Sequence, residues 1–343
     1  MNKLKAMVLY EFNKDMIFEE VEPPKLEADE LLLKVKACGI CYTDVKIISG
    51  LIPVINLPHI LGHEIAGKVV EIGDKVKDIK VGDKGIVYFY IPCRDCEMCR
   101  NARENICYSI KRLGFELPGG YAQYVKVPAY NFCPFNKEIS FEEMAILPDA
   151  VATPYHALKQ MADLKADQNV LVIGIGGLGI HAIQIAFMMG SRVIAADIRD
   201  EALEVAKRYG AELLINPLKE DPKKMIRDWT EGKGIDVIIE GVGTPDSFKW
   251  ALDSLKRGGT LIIMGYDPNK PIYINPMDMH LNEWTIKGSR VSTKQELLEV
   301  ISFVEQGKIK PIVSNIIPLK DANKGLEEVK KGENLARIVL RVE

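Results

Sequence analysis

The feature that most narrows what this chain can become is a run of glycines set between two apolar segments. Asn169-Val170-Leu171-Val172-Ile173 reads as a strand, Gly174-Ile175-Gly176-Gly177-Leu178-Gly179 follows directly, and Ile180-His181-Ala182-Ile183-Gln184-Ile185-Ala186 opens a helix. The pattern G-x-G-x-x-G says little alone, but between strand and helix it points to a dinucleotide site. Gly174 permits the tight turn, Gly176 lets a pyrophosphate approach the backbone, and Gly179 lets the helix pack on the strand. Gly177 and Leu178 stand at the helix N-terminus, whose free N–H groups and positive dipole suit phosphates. The next strand, 192–196, ends at Asp197. A carboxylate there accepts from both adenosine ribose hydroxyls and repels a 2′-phosphate, which favours NAD over NADP. Arg199 is the counter-signal, since an arginine can accept that phosphate.

From 169 to about 288, apolar runs at 170–173, 192–197, 213–215, 236–240 and 260–264 alternate with helical periods at 177–189, 200–209, 221–230 and 246–255. That alternation predicts an α/β unit, a parallel sheet with helices on both faces. Residues 1 to about 135 read differently. Leu31–Lys36, Gly67–Gly73 and Tyr121–Val127 alternate, with Gly-Asp pairs at 73–74 and 82–83, and predict a β-rich unit. After 290 come helical stretches at 293–306 and 320–330 and a strand at 337–341. At 343 residues, two domains fit comfortably.

The charges are interspersed and sum to a formal −3, so there is no bulk electrostatic case for nucleic acid or a membrane surface. No stretch reaches the apolar length of a membrane span, and the start reads as no signal peptide. A cytoplasmic protein is the expectation.

The cysteines supply the second strong pattern. Cys93, Cys96, Cys99 and Cys107 form C-x2-C-x2-C-x7-C. Four thiolates so spaced can close a tetrahedron around Zn²⁺ with no position left for substrate, which makes the site structural. Arg94, Arg100, Arg103, Lys111 and Arg112 lie around it and would offset its charge. An iron–sulfur cluster, a nucleic-acid-binding zinc ribbon and redox disulfides are competing readings. Elsewhere Cys41 offers a thiolate, and 22 residues later Gly62-His63-Glu64 offers an imidazole beside a carboxylate. Cys38 and Cys133 read as small buried residues, and His59, His156, His181 and His280 as packing or surface residues.

Taken in order, these features resemble the zinc-containing alcohol dehydrogenases of the medium-chain dehydrogenase/reductase family, over nearly the whole chain. The matching parts are Cys41-Tyr42-Thr43-Asp44, Gly62-His63-Glu64, the four-cysteine lobe, the glycine fingerprint with Asp197, and the closing Ala336-Arg337-Ile338-Val339-Leu340. The resemblance implies a GroES-like β-rich catalytic domain over 1–150, carrying the zinc lobe 93–107 and completed by 289–343, and a Rossmann NAD-binding domain over 151–288. The active site would line the cleft between them. It implies two Zn²⁺ per chain and NAD. Cys41 and His63 fall on the first two ligands of the catalytic zinc. Leu147-Pro148-Asp149-Ala150 occupies the place of the third, where many members have cysteine, so Asp149 is the third ligand. Glu64 is a neighbour of the metal or an alternate ligand. Exchanging thiolate for carboxylate keeps the charge and hardens the site.

The implied reaction moves hydride between an alcohol and the nicotinamide, giving aldehyde or ketone, with Thr43 accepting the alcohol's hydrogen bond and passing its proton to the nicotinamide ribose. Asp44-Val45-Lys46 stands where many members place a relay histidine, so the outer end of the relay is undefined. Tyr42 replaces the usual basic contact to cofactor phosphate, which leaves the pyrophosphate to backbone amides and Arg337. Ile48, Leu51, Phe89 and Tyr90 are the pocket candidates and suit hydrophobic alcohols. The likeness also implies a homo-oligomer, a homotetramer in most microbial members of this length. Other readings are a polyol, diol or amino-alcohol dehydrogenase, a reductase of activated double bonds, and a zinc-stabilised binding protein without chemistry.

Overall fold

The computed structural model describes residues 3–136 and 138–343. Its contacts divide into two compact units. One comprises Met1–Asp149, Ser292–Gly307 and Pro311–Glu343, the other Ala150–Val291 with Lys308–Lys310.

The first unit is built on a seven-stranded sheet. Its strands run Val313–Pro318, Arg337–Arg341, Glu30–Ile40, Glu64–Ile72, Lys84–Val87 and Phe132–Pro134, with Tyr124–Pro128 also pairing to Glu30–Ile40. Glu30–Ile40 is the pivot. Leu31, Leu32, Leu33, Val35, Ala37 and Cys38 are all buried, because this strand is covered on both faces. At its far end the register sets Gly39 opposite Glu64 on one side and Val339 on the other, and Ile40 opposite Ile338. Three distant stretches of sequence, ending in Cys41, starting at His63-Glu64 and starting at Arg337, therefore meet at one end of the sheet. Gly39 is a glycine for a steric reason: a Cβ there would stand 1.8 Å from Glu64 Oε2.

The second unit is a six-stranded parallel sheet ordered Ala211–Ile215, Arg192–Ala196, Asn169–Ile173, Ile235–Glu240, Leu255–Ile263, Thr285–Gly288. The strand order reverses beside Asn169–Ile173, the first strand in sequence, which is the Rossmann arrangement. Helices Gly179–Met188, Asp200–Arg208, Pro222–Trp229 and Pro245–Ser254 fall between the strands. Caps fix two of their starts: Asp221 accepts from Lys223 N, and Thr244 forms a capping box with Ser247. The sixth strand was not expected from the sequence. It is only four residues long and half-exposed at the sheet edge, so it lacks the apolar run that marks its neighbours.

Among the described residues no helix is long and apolar enough to cross a membrane. Cys38 and Cys133 are buried and unpaired, His59, His156 and His181 are buried, and His280 is exposed.

His59 gives the first unit a testable pH dependence. Its backbone pairs with Leu9 in both directions (2.7 and 2.9 Å), while its Nε2 is buried without a partner. Burial, against the weaker pull of Glu116, lowers its pKa to about 4. As pH falls from the ordinary value of 6.5 towards 4, the unfolded chain takes up a proton that the folded chain refuses. The contribution is complete above that window and is lost through it, at a cost of roughly 3 kcal/mol. His59→Leu is expected to abolish this component. Urea unfolding of both proteins at pH 6.5 and 4.5 checks it, and identical pH slopes would refute it.

Candidate functional site

Cys41 leaves the pivot strand and caps the helix Tyr42–Ile48. Its side chain accepts from Thr43 N at 3.5 Å, and its own N–H donates to Asp44 Oδ2 at 2.9 Å. His63 comes just before the strand Glu64–Ile72, after Gly62 at φ +93°. Asp149 lies in a π-helical turn, Leu147–Val151. Such a turn widens the backbone spiral locally and is common at functional sites.

The structure brings these three side chains together. Their donor atoms all lie within 4.8 Å of one another, and all three residues are buried. Asp149 Oδ2 is 3.3 Å from Cys41 Sγ and 3.8 Å from His63 Nε2. The corners of a tetrahedral zinc site with S, N and O ligands are about 3.4–3.6 Å apart, so the spacing fits. The charges fit as well. Burial alone would lower the His63 pKa, but Asp44, Asp149 and Cys41 outweigh it and raise it well above 6.5. That negative field is what a divalent cation would neutralise.

The surrounding residues hold this arrangement. Asp44 Oδ1 is 3.4 Å from His63 Nδ1, and Tyr121 Oη donates to Asp44 Oδ2 at 3.0 Å. A carboxylate on the far ring nitrogen orients a ligand histidine and points its other nitrogen at the metal. The rings of Phe89 and Phe115 flank His63 at 4.9 and 5.2 Å. Arg337 Nη2 lies 2.8 Å from both Glu64 Oε1 and Asp149 Oδ2. Burial, with Asp149 beside it, pushes the Glu64 carboxyl up to about 8, against the opposing pull of Arg337.

The four-cysteine lobe forms a second donor cluster in the same unit. The Sγ–Sγ separations are 3.5 Å (Cys93–Cys107), 3.6 Å (Cys96–Cys99), 3.8 Å (Cys96–Cys107) and 3.9 Å (Cys93–Cys99). Zinc bonded to four thiolates at about 2.3 Å requires an edge of about 3.8 Å. Backbone N–H groups already point at the sulfurs: Cys93 N to Cys107 Sγ and Cys96 N to Cys93 Sγ, both at 3.3 Å. Hydrogen bonds from Cys99 and Tyr108 N–H bring Cys96 down to about 6, while burial pushes Cys99 up.

In the second unit, Gly174 has φ +86°, and its N–H donates to Ala196 O at 2.8 Å, one rung past the end of the pairing with the strand Arg192–Ala196. A Cβ on Gly179 would sit 2.0 Å from Gly174 O, so helix and strand can only approach this closely with glycine. A Cβ on Gly176 would meet nothing within 4 Å, so the protein's own packing does not require that glycine and the backbone face is left for a ligand. Gly177 and Leu178 lead into the helix, and Gly177 O pairs with His181 Nδ1 at 2.7 Å. Asp197 Oδ2 accepts from Ile175 N at 2.7 Å, and Oδ1 accepts from Arg199 N and Nε at 2.9 and 3.1 Å. Arg199 is thus tied to the carboxylate.

Of the pocket candidates, Phe89 touches His63. Tyr90 packs edge-on against Phe89 at 4.8 Å and is buried. Ile48 is half-buried and Leu51 exposed. Sequence reasoning missed Asp44, Phe115 and Tyr121, and it assigned Arg337 to pyrophosphate without seeing its two carboxylate partners.

This fold and these donor clusters define the class: a zinc-binding dehydrogenase with a GroES-like unit and a Rossmann unit. Residues 27–137 match the family described as "Alcohol dehydrogenase GroES-like domain" and residues 177–306 that described as "Zinc-binding dehydrogenase". The chain is 40% identical to an alcohol dehydrogenase of Geobacillus stearothermophilus over 99% of both chains. It is 33% identical to an NAD-dependent alcohol dehydrogenase of Sulfolobus acidocaldarius over 99% of this chain and all of that one. The crystal structure of an alcohol dehydrogenase from Aeropyrum pernix superposes with a TM-score of 0.92 at 32% identity, over 98% of this chain and all of that one. An acryloyl-coenzyme A reductase of Metallosphaera sedula is also similar, at 30% identity over 98% of this chain and 99% of its own length. The chain belongs to the zinc-containing alcohol dehydrogenases of the medium-chain dehydrogenase/reductase family.

Proposed function

We propose that this chain is an NAD-linked alcohol dehydrogenase that moves hydride reversibly between a hydrophobic alcohol and NAD, giving aldehyde or ketone. The reading is carried by the Cys41, His63 and Asp149 donors, three corners spaced as in a tetrahedral site with the fourth left for substrate. These residues would hold the catalytic zinc, and Cys93, Cys96, Cys99 and Cys107 the structural one. Zinc, when bound, supplies a Lewis acid at the substrate oxygen and lowers the pKa of an alcohol there.

The chain's own residues do the rest. Thr43 Oγ1 stands 3.5 Å from Cys41 Sγ and is the acceptor for the alcohol proton. Asp44 keeps His63 turned towards the donor cluster. Phe89 forms an apolar wall beside it, with Ile48, Leu51 and Tyr90 as the other candidates for the alcohol site. The turn at Gly174, Gly176, Gly177, Leu178 and Gly179 supplies backbone amides to the pyrophosphate. Asp197 selects NAD through the adenosine ribose, in keeping with the NAD dependence in the name of the Sulfolobus relative. Arg337 is engaged by two carboxylates, which leaves the pyrophosphate chiefly to those amides. A homo-oligomer, tetrameric by likeness to microbial relatives, and a reducing cytoplasm that keeps the seven thiols free complete the proposal.

The test is a panel of primary, secondary and vicinal-diol alcohols with NAD and NADP, before and after dialysis against a chelator. NAD-dependent turnover of hydrophobic alcohols that disappears with the metal and returns with zinc is expected. Reduction of activated double bonds that survives metal removal would overturn it in favour of the reductase reading, and no turnover of any alcohol or carbonyl would remove the enzyme reading altogether.

A further inference from the structure

Asp149 Oδ2, the oxygen that faces Cys41 and His63, is also the oxygen that accepts from Arg337 at 2.8 Å. The same Arg337 nitrogen lies 2.8 Å from Glu64 Oε1. All three side chains are buried, so solvent compensates none of them. The Cys41 thiolate and the Asp149 carboxylate together balance a divalent ion, with His63 neutral. Asp44 has its own donors in Cys41 N and Tyr121 Oη. Glu64, when ionised, adds a negative charge beyond that balance, and neither of its oxygens has a hydrogen bond of good geometry. A buried carboxylate is strongly disfavoured without a counter-ion. Two cations compete for it, Arg337 and the metal.

The fold also provides a place to keep Glu64. Its Oε2 occupies the notch left by the missing side chain of Gly39, where a Cβ would stand 1.8 Å away. Oε2 in the notch and Oε1 on Arg337 fix the carboxylate from both ends.

We infer that Arg337, acting with the notch at Gly39, is the positioning residue that keeps the fourth coordination position of the catalytic metal open, by holding Glu64 back while drawing charge from Asp149. The inference rests on the reading of Cys41, His63 and Asp149 as the metal site. It makes Glu64 a ligand in waiting whose access Arg337 controls.

The test uses the full-length protein with Co²⁺ in place of zinc, and imidazole as an added ligand followed through the cobalt absorption bands. The four-cysteine site has no free position, so only the catalytic site responds. Wild-type protein is expected to bind imidazole. Arg337→Gln is expected to weaken that binding about tenfold or more, because Glu64 takes the position. Adding Glu64→Gln to Arg337→Gln restores it, and Arg337→Lys keeps most of it. Gly39→Ala, which evicts Glu64 from the notch with Arg337 intact, weakens imidazole binding in the same way and decides the matter if Arg337→Gln does not fold. Unchanged binding in Arg337→Gln or in Gly39→Ala, or no restoration in the double variant, overturns the inference. Wild-type protein that takes up only the cobalt of the four-cysteine site counts instead against the metal-site reading itself.

Discussion

Asp149→Ala is expected to lower kcat/KM for alcohol oxidation by at least about 10⁴-fold, because it takes a ligand from the ion that activates the substrate. The zinc content should fall from two per chain towards one, the four-cysteine zinc remaining. The loss should be chemical rather than structural. The 2.8 Å pair between Arg337 and Glu64 survives the substitution, so no buried charge is orphaned. Melting temperature and circular dichroism should therefore change little beside the activity. Asp149→Cys is the informative partner. A thiolate keeps the charge and binds zinc, so this variant should retain two zincs and measurable turnover, while losing the carboxylate contact to Arg337. Metal analysis and steady-state kinetics on the three proteins check the assignment. Two zincs and near-normal turnover in Asp149→Ala would remove Asp149 from the site.

The parts of this molecule that could be read from sequence are those whose physics is local. The strands of the second unit are short apolar runs punctuated by helices, and the glycine turn is contiguous with the strand and helix it joins. The four cysteines fall within fifteen residues and show their spacing directly. The site around His63 is of another kind. Tyr121 reaches Asp44 across 77 positions, and Arg337 reaches Asp149 across 188. No periodicity links such residues. The register of Glu30–Ile40 with Glu64–Ile72 and Arg337–Arg341 brings one set of them together, and register is set by packing over the whole sheet.

Asp44 shows what stays hidden even in a short motif. It stands three residues after Cys41 and closes a capping box on the helix. Its second task, facing His63 Nδ1, depends on where a strand twenty residues further on is laid down. The π-helical turn at Leu147–Val151 was equally invisible, since Pro148 in an apolar stretch reads as a helix boundary rather than as a widened turn. Arg337 was singled out in the sequence as a contact for the pyrophosphate, but its two carboxylate partners were not visible there.

Thr43→Val is the sharpest test of the proton path. Thr43 lies in the first turn of the helix Tyr42–Ile48, with its N–H and its hydroxyl both 3.5 Å from Cys41 Sγ. The capping box holds the backbone, so the hydroxyl is presented by a fixed frame. A hydroxyl has one proton to give and two lone pairs to receive with, which is what a relay group needs. Valine keeps the shape of the side chain and removes only those functions. The variant should keep its zinc and bind NAD as the wild type does, while kcat falls by about 10²–10⁴-fold, the range for losing a positioned acid or base. Thr43→Ser, which restores the hydroxyl, should recover most of the rate. The contrast between the two variants is what matters. A residue that only packed against Cys41 would tolerate valine better than serine, because valine fills the same volume. A Val variant within a few-fold of wild-type kcat, or a Ser variant no better than Val, would move the proton path to another group.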